Sequence, residues 1–140
     1  MRTVHPSPLL KLALRFDGAA TGAMAALQLL LAATVASLTE LPRALIVESG
    51  LFMAVYAAAL FLIARSPRVW SALVLFIVIG NLGWAIASIG LWVTGAVAPS
   101  GAGIAFLGLH AASTLLFAAW QGVSLRGSRE ADASPLATAH

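Results

Sequence analysis

Cysteine is absent from this chain, so disulfides and thiolate metal sites are excluded and the redox compartment leaves no mark on it. Charge is nearly as scarce. Only 9% of residues are Asp, Glu, Lys or Arg, against about a quarter in an ordinary soluble domain. Enzyme signatures are missing too: there is no HExxH, no GxSxG, no glycine-rich phosphate cradle and no carboxylate pair sharing a face at a useful spacing. The connections between apolar runs are too short to build a water-filled active site. The chain reads as non-enzymatic. Its 8 Lys and Arg are scattered over loops and termini instead of being gathered into a patch, so nucleic acid is not an expected partner.

What is present is apolar. Hydrophobic residues make up 61% of the sequence, and the mean hydropathy is +0.97. A domain of 140 residues in water leaves too much surface exposed to hide this much apolar side chain. The expected solvent is lipid. The clearest case is the stretch from Trp70 to Val93, which holds no charged residue and exceeds the roughly 20 residues needed to cross a bilayer at about 1.5 Å each.

Four such runs are predicted as spans, over residues 18–38, 44–64, 70–93 and 104–125. Residues 1–17 are read as an interfacial segment: Pro6 and Pro8 are expected to keep its start extended, and Leu9 to Phe16, with Lys11 and Arg15, to lie at the membrane surface. A cleaved signal peptide is the competing reading of the N-terminus, but the apolar run is long for one, so an uncleaved first span is expected. Thr39 to Arg43 reads as a tight turn, Arg65 to Arg68 as a basic loop, and Thr94 to Gly103 as an uncharged loop. Residues 126–140 are polar and small and are expected to be disordered.

The predicted fold is all-α: an antiparallel transmembrane bundle of four helices joined by short loops. Seven of the 8 Lys and Arg (Arg2, Lys11, Arg15, Arg65, Arg68, Arg126 and Arg129) fall on one side of this topology, with Arg43 alone on the other. That bias predicts cytoplasmic N- and C-termini in the inner membrane of a bacterium.

A polar side chain inside lipid must find a partner within protein, so the polar residues of the spans carry the functional argument. At 100° per residue, Asp17, Thr21 and Gln28 share a face of the first span. Glu48 shares one with Phe52, Val55 and Ala59, with Tyr56 at its edge. Asn81, Trp84, Ser88 and Trp92 share another, and His110, Ser113, Thr114, Phe117 and Gln121 a fourth. By depth, Asp17, Thr21 and Gln121 are assigned to a cytoplasmic layer. Gln28, Tyr56, Asn81 and Thr114 are assigned to the midplane, and Glu48, Ser88 and His110 to an outer layer. The candidate polar interior, or pathway, is therefore Gln28, Glu48, Tyr56, Asn81, Ser88, His110 and Thr114.

Glu48 and His110 are read as the only ionisable groups inside the spans, and Glu48 as the charged partner of a neutral His110. A proton-coupled transporter needs an acid near the middle of a span. The first span places Gln28 there and leaves Asp17 at the cytoplasmic edge. Haem ligation by His110 commonly requires a second axial ligand, and His5 and His140 lie at the termini, so no cofactor or metal is expected. Gly18 and Gly22, and on the third span Gly80, Gly83, Ala87 and Gly90, form small-residue seams that are expected to hold a neighbouring helix close.

Several short pieces together resemble a family of small bacterial integral membrane proteins with four spans. They are Phe16-Asp17-Gly18 leading to Gly22, Leu41-Pro42, and Ala64-Arg65-Ser66-Pro67-Arg68. Asn81 with Trp84 and Ser88, the Pro99-to-Gly103 loop and Gln121-Gly122 running to Arg126 complete the match. It covers about residues 14 to 126. Such proteins tend to carry glutamine where this chain has His110. The resemblance implies fold and topology and no activity.

The function expected from the sequence is a structural, accessory or assembly subunit that packs against other membrane helices or against itself. The alternative is a small transporter or channel with a polar pathway through the bundle.

Overall fold

The computed structural model describes residues 3–130. It is all-helical apart from three very short strands. The helices are α1 (Pro8–Leu30), α2 (Ala32–Thr39), α3 (Arg43–Arg65), α4 (Ser71–Val93) and α5 (Gly101–Arg126). The strands are β1 (Thr3–His5), β2 (Val69–Trp70) and β3 (Arg129–Glu130).

The N-terminal expectation is corrected. Residues 8–17, expected to form a segment separate from the first span, are the opening turns of α1 and continuous with it. Ser7 is the N-cap, its hydroxyl accepting from the Leu10 amide at 3.1 Å, and Pro8 occupies the first helical turn, where its missing N–H costs nothing. Leu10 and Leu14, one turn apart, are completely buried. Lys11 and Arg15 stand on the other side of the same helix, which is why the stretch looked interfacial in sequence. At its far end the first span is broken. The chain bends by 92° between α1 and α2 at Leu31. Glu40, in the left-handed region with φ of 55°, then turns it toward α3.

The other spans fall within a residue or two of expectation, except that α5 begins at Gly101, inside the predicted loop. Ser100 caps it, accepting from the Gly103 amide at 3.2 Å. The Ser100 amide and hydroxyl in turn donate to the Thr39 and Leu38 carbonyls, at 3.0 and 2.7 Å. These bonds bind the end of α2 to the start of α5.

The sheet at the opposite end was not expected. Its order is β2-β1-β3, both pairings antiparallel, with Val4 opposite Val69 and Glu130. It gathers the N-terminal segment, the α3–α4 connection and the end of α5. Residues 127–130, expected to be disordered, turn back into this sheet, and the Ser7 amide donates to the Ser128 hydroxyl at 3.1 Å. The remainder of the proposed tail, 131–140, lies outside the described residues, as do Met1 and Arg2.

Close backbone packing joins α1 to α3, α4 to α5, and α1 to α5. Two apolar clusters close the ends. At the sheet end Leu10 and Leu14 meet Leu60, Ala64, Val69, Val74 and Ile77. At the other end Ala32 and Val35 meet Leu41, Ile46 and Leu107. Helices α3, α4 and α5 are each long and apolar enough to cross a membrane, and α1 with α2 makes a fourth span if the bent pair counts as one. Their outward faces are apolar: Phe76 is 72% exposed and Ile86 73%. A surface of that kind is soluble in lipid and aggregation-prone in water.

Candidate functional site: two polar networks around a cavity

Between the two apolar ends lie two polar networks. The first is centred on Asp17, the tenth residue of α1, about 14 Å along the helix from Pro8. Its carboxylate is completely buried. Oδ2 accepts from Gln121 Nε2 at 2.7 Å and from Asn81 Nδ2 at 3.0 Å. Oδ1 accepts from the Thr21 hydroxyl at 3.0 Å. Asn81 Nδ2 also reaches Gln121 Oε1 at 3.2 Å, and the Tyr56 hydroxyl donates to Asn81 Oδ1 at 3.2 Å. All four long helices contribute: α1 through Asp17 and Thr21, α3 through Tyr56, α4 through Asn81 and α5 through Gln121. No Lys, Arg or His pairs with Asp17 among the described residues. Its hydrogen-bond partners are all neutral groups.

The second network is centred on Gln28, also completely buried. The Ser49 hydroxyl donates to its Oε1 at 2.7 Å. Its Nε2 lies 3.1 Å from His110 Nε2 and 3.6 Å from the Met53 sulfur. The other ring nitrogen, His110 Nδ1, lies 2.9 Å from the Phe106 carbonyl. A carbonyl can only accept, so Nδ1 carries the proton and Nε2 receives the Gln28 amide. His110 is thus a neutral ring with both nitrogens engaged.

A cavity of about 510 Å³ separates the networks. Thr21, Tyr56 and Asn81 form its wall on the Asp17 side, and Met53, His110, Ser113 and Thr114 its wall on the Gln28 side. The remaining lining is apolar and aromatic, including Phe52, Phe76, Trp84 and Phe117. The cavity lies where α3 and α4 face one another without close backbone packing. Side chains bridge that gap: Phe52 stacks on Trp84 with centroids 5.3 Å apart and planes 7° apart, and Tyr56 stacks on Phe52 at 6.1 Å. Thr114 and Ser113 turn their hydroxyls onto the His110 carbonyl of their own helix, at 2.9 and 3.1 Å, so both walls present satisfied polar groups.

The structure redraws the expected layers. Asn81 and Tyr56 belong with Asp17, Thr21 and Gln121, not with Gln28. Gln28 belongs with His110. Glu48 is exposed on α3 and joins neither network, so the partner of His110 is Gln28 and not Glu48. Ser88 is buried on α4, beyond Trp84, outside both networks. Of the candidate pathway residues, Gln28 with His110 and Asn81 with Tyr56 thus fall in separate networks, and Glu48 and Ser88 join neither. The two seams also part. Gly18 packs against Phe61, Ala57 and Leu60 of α3, and Gly22 against Ala57. A Cβ on Gly80, Gly83 or Gly90 would meet nothing within 4 Å, and Ala87 is exposed, so the α4 seam holds no helix of this chain.

Asp17 is the residue whose weight the sequence reading missed. With the first span started at Gly18, Asp17 fell at the interface. The Ser7-Pro8 cap and the Leu10, Leu14, Asp17, Thr21 spacing were the signals that extend the helix outward and bring Asp17 inward. Ser49 had no distinguishing signal, since a serine near a helix start is common on any face. No group of three or more His, Cys, Asp or Glu that could hold a metal gathers among the described residues.

These features define a class: a bundle of helices long and apolar enough to cross a membrane, with an aromatic cavity set between two internal polar networks. No protein-family model, curated protein or solved structure matches the chain.

Proposed function

We propose that this chain is a four-span protein of a bacterial inner membrane, with antiparallel spans and both termini cytoplasmic, whose bundle binds a small lipophilic molecule and serves as a carrier for it. The α1–α2 pair is the first span, broken near its outer end. The topology is supported by the basic residues: Lys11, Arg15, Arg65, Arg68 and Arg126 belong to the end of the bundle where the sheet gathers the chain, and Arg43 to the other. The carrier reading rests on one observation, the cavity of about 510 Å³ between α3 and α4, large enough for a small ligand and mostly apolar with polar groups at both ends.

The test is saturable binding of a neutral lipophilic fluorophore, Nile red, to the protein in phosphatidylcholine nanodiscs. Gly80 lines the cavity with open space at its Cβ position, so Gly80→Leu fills it without a clash. Wild type should bind the dye at a defined stoichiometry and Gly80→Leu should not. Equal binding by the two, or none above empty nanodiscs, defeats the proposal.

The second reading is an accessory subunit that packs against other membrane helices. It is favoured by Gly83 and Gly90, whose α4 face lies open. Purification in mild detergent separates the two: a stoichiometric helical partner supports the subunit, and a monodisperse protein that binds ligand alone supports the carrier.

A further inference from the structure

We infer that the molecule this cavity takes is a lipophilic cation, selected by the buried charge of Asp17. The inference rests on the cavity reading and adds the ligand's chemical class. Three observations carry it. First, Asp17 is a completely buried carboxylate whose contacts are all hydrogen-bond donors, and no cation among the described residues pairs with it. Accepting is the only kind of bond an ionised carboxylate can make, and each of the three donors is a neutral group. Second, two of those donors, Thr21 and Asn81, stand in the cavity wall, so Asp17 lies directly behind that wall. In a site of low dielectric, charge is screened far less than in water and reaches across a side chain. Third, the cavity is lined by the aromatic residues Phe52, Tyr56 and Trp84, and aromatic π-systems attract cations and not anions.

The opposite wall does not reverse this preference. His110 is neutral, with both nitrogens already bonded, and Gln28 behind it is uncharged. No Lys or Arg lines the cavity. The titratable groups that face it are Tyr56 from α3 and His110 from α5; α4 offers Asn81 and Trp84, and α1 offers Thr21 with Asp17 behind it. Among the described residues no acid, Lys or Arg lines the cavity itself, and the acid bonded to its wall is Asp17.

The experiment compares three tetrahedral probes of one shape: tetraphenylphosphonium, neutral tetraphenylsilane and the anion tetraphenylborate. Binding is measured for wild type and Asp17→Asn in the same phosphatidylcholine nanodiscs, so each probe's partition into lipid cancels between the two proteins. Wild type should bind the phosphonium roughly tenfold more tightly than the silane, the scale of one ion pair at the effective dielectric of a partly buried site. The borate should bind least. Asp17→Asn should abolish the order while still binding the silane.

Equal binding of phosphonium and silane by wild type overturns the cation inference and leaves the cavity reading standing. A preference that survives Asp17→Asn overturns the assignment to Asp17. If Asp17→Asn does not fold, wild type decides: a silane or a borate bound as tightly as the phosphonium overturns the proposal. Failure of all three probes to bind, together with Nile red, removes both readings.

Discussion

Asn81 of α4 donates to Asp17 of α1 at 3.0 Å while accepting from Tyr56 of α3 at 3.2 Å. With its contact to Gln121 Oε1 of α5 at 3.2 Å, one amide thus joins all four long helices, two of which, α3 and α4, lack close backbone packing. Its two ends cannot be exchanged. The carboxylate demands the NH₂ group, which leaves the carbonyl for the phenol.

Asn81→Leu should therefore cost more than one hydrogen bond. It strips a donor from a buried carboxylate and the acceptor from Tyr56. Interhelical hydrogen bonds in membranes are worth about 0.6 kcal/mol on average, and a buried polar group left without its partner costs about 1–3 kcal/mol. A loss of about 2 kcal/mol is expected, read as a lower thermal midpoint in detergent. In a double-mutant cycle with Asp17→Asn, the two losses should not add.

His110→Gln should be well tolerated and His110→Leu should not. A glutamine carbonyl can still accept from the Gln28 amide. Leucine leaves Gln28 Nε2 with the Met53 sulfur alone, a weak acceptor. Membrane-inserted yield and unfolding midpoint check this, with a difference of about 1–2 kcal/mol expected between the two variants.

Two glycines give opposite expectations. The first turn of α5 lies so close to α2 that a Cβ on Gly103 would run into the Thr39 carbonyl and Pro99. Gly103→Ala should displace the start of α5 and cost about 1–3 kcal/mol. Gly83 has open space at the same position, so Gly83→Ala should be neutral or stabilising by about 0.5–1 kcal/mol, from helix propensity. If Gly83→Ala instead breaks up an oligomer on size exclusion, the open α4 face is an interface.

Phe52→Ala should loosen the contact between α3 and α4. Stacked aromatic pairs contribute about 0.5–1.5 kcal/mol beyond their buried area. The stack on Trp84 sits at the cavity, so tryptophan emission should shift and Nile red should exchange faster than in wild type.

Reporter fusions address the topology. A cytoplasmic reporter at either terminus should be active and a periplasmic one silent; the reverse at either end refutes the orientation.

The helices and their approximate ends were legible in the sequence, because an uninterrupted apolar run long enough to cross lipid has few other stable states. The faces were legible as well. Asp17, Thr21 and Gln28 were grouped correctly by helical spacing, and so were His110 and Gln121. Depth was not. Moving the start of α1 from Gly18 to Pro8 shifted Asp17 from the interface to the interior and dissolved the pairing of Glu48 with His110. Lys11 and Arg15 concealed that start, since one basic side of a helix resembles an interfacial segment when read in a line.

The sequence by itself determined a lipid-compatible helical bundle, the charge bias along it and which polar residues share each face, since these depend on composition and a 100° repeat. Only the tertiary structure decided which faces meet. It bent the first span at Leu31, tied both ends of the chain and the α3–α4 connection into one sheet, and left α3 and α4 bridged by side chains around a cavity. Those outcomes depend on the relative heights of helices far apart in sequence. Close packing sets those heights: Gly103 under the Thr39 carbonyl, and Gly18 against Phe61. No local pattern of residues encodes them.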